Sequence, residues 1–233
     1  MLVVADSGGE GIAEKYAPLA AEALGREVVA RSHLNAGATI GKLRSMVETA
    51  WWSDDVADAE IIVFYVNPWG FEPPGLVECF KAEDAVTGSE SQWPPGTTWE
   101  PVPEMPSAGD FQEYQDELQK MYDTFWRLRE DQPTIMRAYG WPDLWVPVWR
   151  LVGIETECMA QVESLEQARR EVVEANGGVY VSMLDAFNGP QHDEDPIAKG
   201  LIQDDLLHLN EDGQRLLAET LAEAGFDTSE PPN

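Results

Sequence analysis

Apolar residues along this chain occur in two patterns, short continuous runs and positions spaced by three or four. A continuous run predicts a strand that is buried on both faces, and the spaced pattern predicts an amphipathic helix. By these criteria we expect strands at 2–4, 28–30, 60–67, 134–139 and 178–184. We expect helices at 12–24, 40–47, 111–130, 155–176 and 210–225. Because strands alternate with helices, the chain should form a three-layer α/β/α sandwich with a central, mainly parallel sheet, as one domain over 1–233.

Residues 71 to about 110 break this pattern. They contain seven of the chain's 16 prolines together with Trp93 and Trp99, and they show little periodicity. We expect an irregular insertion there, of the kind that forms a lid or a binding loop. A second aromatic segment, GWPDLWVPVW, occupies 140–149. We interpret the tryptophans of both segments as core and lid packing, with the lining of a substrate pocket as the alternative.

The charge balance narrows the possible partners. The chain has 43 acidic and 15 basic residues, which gives a net charge of −28 at pH 7. Such a charge argues against binding to nucleic acid and against docking on an anionic membrane. We interpret it as a heavily hydrated acidic surface, as in proteins that work at high salt, with an acidic mesophilic protein as the alternative. A hydrophobic content of 43% indicates a packed globular protein and not a disordered chain.

The chain carries no stretch that approaches the roughly 20 apolar residues of a membrane helix. No basic segment followed by an apolar one precedes the first strand, so we expect a cytoplasmic protein or one whose leader was removed. The two cysteines, Cys79 and Cys158, are compatible with one disulfide or with two buried thiols. We predict the disulfide, which would tie the 71–110 segment to the helix at 155–176. Their spacing is not that of a metal site, and none is expected.

The first candidate for chemistry is the segment ADSGGEG at 5–11, where the first strand gives way to the first helix. Three interpretations compete for it. A phosphate-binding loop is disfavoured because the segment matches neither glycine-rich phosphate motif and because Glu10 would repel an anion. Asp6 and Ser7 could cap the helix, since both residue types are common there. Alternatively, Ser7 is a nucleophile exposed at the edge of the sheet, which requires a base elsewhere in the chain.

The second candidate is the segment IQDDLLHLNEDG at 202–213, just before the last helix. Asp205 and His208 are three positions apart, so one turn of chain can bring the carboxylate to the imidazole Nδ1. That contact would leave Nε2 as a base and stabilise the imidazolium. The alternative is a capping histidine beside a solvated acidic run. Asn210 is expected to cap the helix that follows.

Together, ADSGGEG near one end and DDLLHLNEDGQRLLAETL near the other resemble the GDSL/SGNH hydrolase superfamily. The resemblance implies a flavodoxin-like α/β/α fold and a serine esterase or lipase. It assigns the catalytic triad to Ser7, Asp205 and His208. It also implies an oxyanion hole formed by the Ser7 and Gly37 backbone N–H groups and the Asn67 side chain. Gly37 lies in AGAT, which matches the second block of the family, and Asn67 lies where the third block belongs.

Two departures from the family pattern concern the expected oxyanion hole. Ala5 replaces the usual glycine before Asp-Ser, and the third block reads Tyr65-Val66-Asn67-Pro68 where the family has Gly-x-Asn-Asp. The sequence therefore predicts a hydrolase of small-molecule carboxylic esters that needs no cofactor. A carbohydrate O-deacetylase of the same superfamily and a catalytically silent binding domain remain as alternatives.

Overall fold

The computed structural model describes residues 1–71, 73–87, 98–107 and 109–231, and it describes the side chains of this part except at 84–87. Five strands form one sheet in the order β2-β1-β3-β4-β5, and every neighbouring pair is parallel. The strands are β1 (Leu2–Ala5), β2 (Arg31–Leu34), β3 (Ile61–Tyr65), β4 (Ile135–Tyr139) and β5 (Val179–Val181). β1, β3 and β4 are buried throughout, which explains their continuous apolar sequences.

Helices cover both faces of this sheet. They are α1 (Ile12–Leu24), α2 (Ile40–Val47), α3 (Ala50–Asp58), α4 (Pro74–Thr87), α5 (Gln112–Arg129), α6 (Val146–Val152), α7 (Glu155–Ala175), α8 (Leu184–Asn188) and α9 (Glu211–Glu223). Ile62 and Phe64 point to the face covered by α2, α3, α5 and α7, and Val63 points to the face covered by α1 and α9. The predicted α/β/α architecture and the predicted positions of α1, α2, α5, α7 and α9 are confirmed.

The second strand was predicted wrongly at 28–30, because β2 lies at Arg31–Leu34. This strand is at the edge of the sheet, and polar residues suit it because they find partners outside the sheet. Arg31 forms an ion pair with Asp55, and His33 stacks on Trp52 with ring centroids 4.4 Å apart. A strand with this composition carries no continuous apolar run that the sequence pattern could reveal.

The expectation of an irregular segment over 71–110 is also wrong in part, since α4 lies within it. Pro73 and Pro74 stand at the start of α4, where proline costs no helical hydrogen bond, so the prolines do not exclude a helix. Trp93 and the rest of 88–97 lie outside the described residues. The role of this segment as a lid remains a prediction.

A disulfide joins Cys79 of α4 to Cys158 of α7, as predicted. Both cysteines are fully buried in a small apolar cluster with Trp149, Val152 and Ile154. The disulfide therefore fixes α4 against α7 on one side of the sheet. Among the described helices, none combines the length and the apolar character that crossing a bilayer requires.

Candidate active site

Ser7 lies at the carboxyl end of β1, in a single 3-10 turn that spans Ser7–Gly9. Asp6 caps this turn, because its Oδ1 accepts a hydrogen bond from the Gly8 N–H at 2.7 Å. The turn lies tightly against the sheet: a Cβ on Gly8 would be 2.8 Å from a ring carbon of Tyr65, so only glycine fits. The prediction that Asp6 or Ser7 caps the first helix is therefore wrong: Asp6 caps the short turn before it, and α1 begins after Gly11 without a side-chain cap. The Ser7 hydroxyl makes no hydrogen bond within the described part of the chain.

Asp205 and His208 form a hydrogen-bonded pair in the loop before α9. Asp205 Oδ2 lies 2.6 Å from His208 Nδ1, and Asp205 Oδ1 accepts the backbone N–H groups of His208 and Leu207, each at 3.0 Å. These hydrogen bonds, above all that from the His208 N–H, lower the pKa of Asp205 to about 2. Because an ionised carboxylate only accepts, Nδ1 carries a proton, and in the neutral imidazole Nε2 then holds the lone pair that a base needs.

Ser7 and His208 line the same cavity, which has a volume of about 130 Å³. No hydrogen bond joins their side chains among the described contacts. Aromatic side chains form a large part of the wall: Tyr65, Trp69, Phe80, Trp141, Trp145 and Trp149. The tryptophans of the second aromatic segment, Trp141, Trp145 and Trp149, are found here, so the alternative of a pocket lining applies to them, whereas Trp99 of the 71–110 segment is not in this wall. The wall combines an apolar surface with a serine and a histidine.

Trp69 and Asp6 connect this wall to the serine turn. Trp69 Nε1 donates a hydrogen bond of 2.6 Å to Asp6 Oδ2. Burial raises the pKa of Asp6, against the opposing effects of the hydrogen bonds from Gly8 and Trp69 and of the nearby His208. Asp6 is 2% exposed, so both of its oxygens serve to hold the turn and the indole in place.

Asn67 follows β3 and is fully buried. Its Nδ2 donates to the Ala38 carbonyl at 2.9 Å, and its Oδ1 accepts from the Trp69 N–H at 3.2 Å. The side chain therefore ties the third block to the loop of the second block, and one Nδ2 hydrogen has no partner among the described residues. Gly37, next to Ala38, is exposed and has a φ of 67°. Neither Asn67 nor Gly37 is in the wall of the cavity that Ser7 and His208 share.

The Tyr114 hydroxyl holds the backbone of the unusual Asn67-Pro68 segment by hydrogen bonds. The hydroxyl lies 3.0 Å from the Val66 carbonyl and 3.1 Å from the Asn67 carbonyl, and it accepts a hydrogen bond from Arg169 Nε at 3.2 Å. Arg169 is itself paired with Glu166 at 2.8 Å and reaches the cavity wall. In the sequence, Tyr114 is visible only as an apolar-face position of α5, so its polar role could not be inferred.

Asp143 is a further cavity residue that the sequence did not indicate. It lies between Trp141 and Trp145 in the second aromatic segment, and burial raises its pKa to about 7. The only available signal was an acidic residue within an aromatic run. Within the described part of the chain, no group of three or more His, Cys, Asp or Glu side chains is placed to hold a metal ion.

Comparisons with known proteins bear on the fold. Protein-family models and curated protein sequences give no match to this chain. Among solved structures, the lipase Lip_vut3 from a goat rumen metagenome is similar over 97% of both chains, with 14% identity and a TM-score of 0.67. A Lactobacillus plantarum protein matches over 97% of this chain and 96% of its own, with 16% identity and a TM-score of 0.51. The esterase EstA from Pseudoalteromonas sp. matches over 95% and 93%, with 14% identity and a TM-score of 0.46. The likeness to the first two establishes a shared fold.

Proposed function

We propose that this protein is a serine hydrolase of small-molecule carboxylic esters, of the GDSL/SGNH type, with Ser7 as nucleophile, His208 as base and Asp205 as the residue that orients His208. The observation that carries the proposal is the 2.6 Å Asp205–His208 pair, whose histidine shares one cavity with Ser7. Asp205 and Ser7 are 198 positions apart, so local chain geometry alone does not account for this arrangement. The likeness in fold to a protein named as a lipase adds support.

The proposed reaction proceeds through an acyl-enzyme. His208 Nε2 takes the Ser7 proton while Ser7 Oγ attacks the ester carbonyl carbon, and the ionised Asp205 stabilises the imidazolium. The tetrahedral intermediate collapses, and the alcohol leaves with the proton held by His208. Water, deprotonated by His208, then attacks the acyl-enzyme and releases the acid. All steps use side chains of the protein and need no cofactor.

The oxyanion is proposed to bind the backbone N–H groups of Ser7 and Gly37 and the second Nδ2 hydrogen of Asn67. The support for Asn67 is its rigid placement, since its other amide atoms are already bonded to Ala38 and Trp69. Asn67→Ala should lower kcat by roughly 10²–10³-fold if this donor acts in the transition state.

The test compares Ser7→Ala and His208→Ala with matched controls. A fluorophosphonate probe should label the wild type and not Ser7→Ala, and kcat for 4-nitrophenyl esters should fall on the order of 10⁴-fold or more in either variant. His192→Ala is the control for His208, because His192 Nε2 also contacts a carboxylate, Asp185, at 2.9 Å but lies outside the cavity wall. Ser45→Ala is the control for Ser7, since Ser45 is an exposed serine on α2.

Both controls should keep wild-type labelling and turnover. Full hydrolysis by a clean preparation of Ser7→Ala would contradict the assignment of the nucleophile. An unlabelled wild type that hydrolyses no ester in a panel of increasing acyl length would instead identify a catalytically silent binding domain.

A further inference from the structure

The cavity wall contains a carboxyl group that the proposed mechanism does not use. Asp143 is 6% exposed and lies in the wall that Ser7 and His208 share. Its Oδ1 accepts the Trp145 N–H at 2.8 Å. Its Oδ2 is buried and has no hydrogen-bond partner among the described residues. A buried polar atom without a partner is costly, and in a binding cavity a ligand can supply the missing hydrogen bond.

The backbone of Asp143 is held in place by one neighbouring side chain. Asn188, which is fully buried, accepts the Asp143 N–H at 3.0 Å and donates to the Asp143 carbonyl at 2.6 Å. With Oδ1 bonded to Trp145 as well, the carboxyl group cannot turn to a protein partner without breaking one of these contacts. Asp143 is therefore a fixed polar position between two tryptophans of the wall, Trp141 and Trp145.

The protonation state of Asp143 decides what it can bind. Burial raises its pKa to about 7, and the Trp145 N–H opposes this shift. The charged and titratable groups that share the wall are Asp6, Tyr65, Glu83, Arg169 and His208. Because Oδ1 accepts an N–H, the proton of the neutral acid is on Oδ2. Neutral Asp143 is thus a hydrogen-bond donor at Oδ2, and its ionised form is not.

The size of the cavity indicates what kind of group fits beside this donor. Its volume of about 130 Å³ is close to the roughly 150 Å³ of an apolar protein cavity that binds benzene. A six-membered ring fits such a space, and the aromatic wall favours a ring with an apolar body.

We propose that Asp143 determines substrate specificity by donating a hydrogen bond from Oδ2 to an acceptor oxygen on the ring-sized group of the substrate that fills the cavity. The preferred substrates are then esters in which this group carries an ether or hydroxyl oxygen in place of a methylene. This inference rests on the proposed function, because it names the substrate class of the same site.

The experiment compares two esters that differ by one atom, 4-nitrophenyl tetrahydropyran-4-carboxylate and 4-nitrophenyl cyclohexanecarboxylate. The measured quantity is the ratio of their kcat/KM values in the wild type, Asp143→Asn and Asp143→Leu. Since both esters depend equally on His208, its titration cancels in this ratio. Asp143→Asn keeps an acceptor for the Trp145 N–H and offers an amide donor at the second position, whereas Asp143→Leu offers neither.

At pH 5.5 the ratio of the oxygen ester to the carbon ester should be about tenfold higher in the wild type than in Asp143→Leu. Asp143→Asn should retain most of this difference. From pH 6 to 8.5 the wild-type ratio should fall toward that of Asp143→Leu, because ionised Asp143 cannot donate, while the Asp143→Asn ratio stays constant. Should Asp143→Leu fail to fold, the contrast between a falling wild-type ratio and a constant Asp143→Asn ratio still decides the question.

A ratio that is equal in all three proteins, or a wild-type ratio that does not fall with pH, would overturn the proposal. Its failure can be told apart from failure of the proposed function by a binding measurement. The tryptophans of the cavity wall report binding by their fluorescence, so methyl tetrahydropyran-4-carboxylate and methyl cyclohexanecarboxylate can be titrated into Ser7→Ala with and without Asp143→Leu. Asp143→Leu should weaken binding of the oxygen compound alone, even if the wild type hydrolyses no ester. Equal weakening of both compounds would contradict the specific role of Asp143.

Discussion

The disulfide between Cys79 and Cys158 should supply a large part of the stability of this protein. It closes a loop with a sequence separation of 79 residues. For a loop of this length, the lost chain entropy of the unfolded state is about 15 cal/mol/K, or about 4.5 kcal/mol at 25 °C. A chain of this size changes its Tm by about 2–4 °C per kcal/mol, so reduction should lower the Tm by about 9–18 °C.

The disulfide also connects the two helices that form one side of the cavity. Leu76 and Phe80 of α4 and Leu165 and Arg169 of α7 all line its wall. Because reduction removes the covalent link between these helices, we expect KM for ring-bearing esters to rise more than kcat falls. The proposed chemistry depends on the loops after β1 and before α9, which the disulfide does not touch.

The assay follows the Tm by circular dichroism in the oxidised protein, the protein reduced with a phosphine, and the double variant Cys79→Ala/Cys158→Ala. The reduced wild type keeps both sulfur atoms in the cluster with Trp149, so its difference from the double variant isolates the loss of packing. Two free thiols by mass spectrometry under non-reducing conditions would refute the reasoning. A difference of less than about 2 °C between oxidised and reduced protein would contradict the loop-entropy argument.

Two further predictions concern electrostatics. Because the pKa of Asp205 is lowered from 3.8 to about 2, its contribution to stability is fully present above about pH 4 and is lost as the pH falls toward 2. The Tm difference between the wild type and Asp205→Asn should therefore shrink over that range. A difference that stays constant with pH would contradict this prediction. Asp205→Asn should also lose less turnover than His208→Ala. Raising KCl from about 0.1 to about 2 M should raise the Tm, because salt screens the repulsion that accompanies a net charge of −28. A flat or falling Tm would exclude a surface adapted to high salt.

Several features of this protein follow from the sequence by itself because they depend on neighbouring residues. β1 and β3 can be predicted from their continuous apolar runs, since a strand buried on both faces has few polar side chains. α5 and α7 can be predicted because apolar residues recur at helical spacing along one face of each helix. The Asp205–His208 contact spans three positions, so the chain can form it within a single turn.

Other features exist only once distant segments are brought together. The edge strand β2 has a polar sequence. Its Arg31 and His33 are accommodated because they contact Asp55 and Trp52 of α3. The cavity joins residues from β3, α4, α6, α7 and four connecting segments, so no local sequence pattern predicts it. The proposed role of Asp143 depends on its burial by aromatic neighbours, on the two hydrogen bonds between its backbone and Asn188, and on its Oδ2, which has no partner among the described residues. Burial and pairing are properties of the packed molecule, which is why the sequence could nominate candidate catalytic residues and only the tertiary structure could describe the cavity around them.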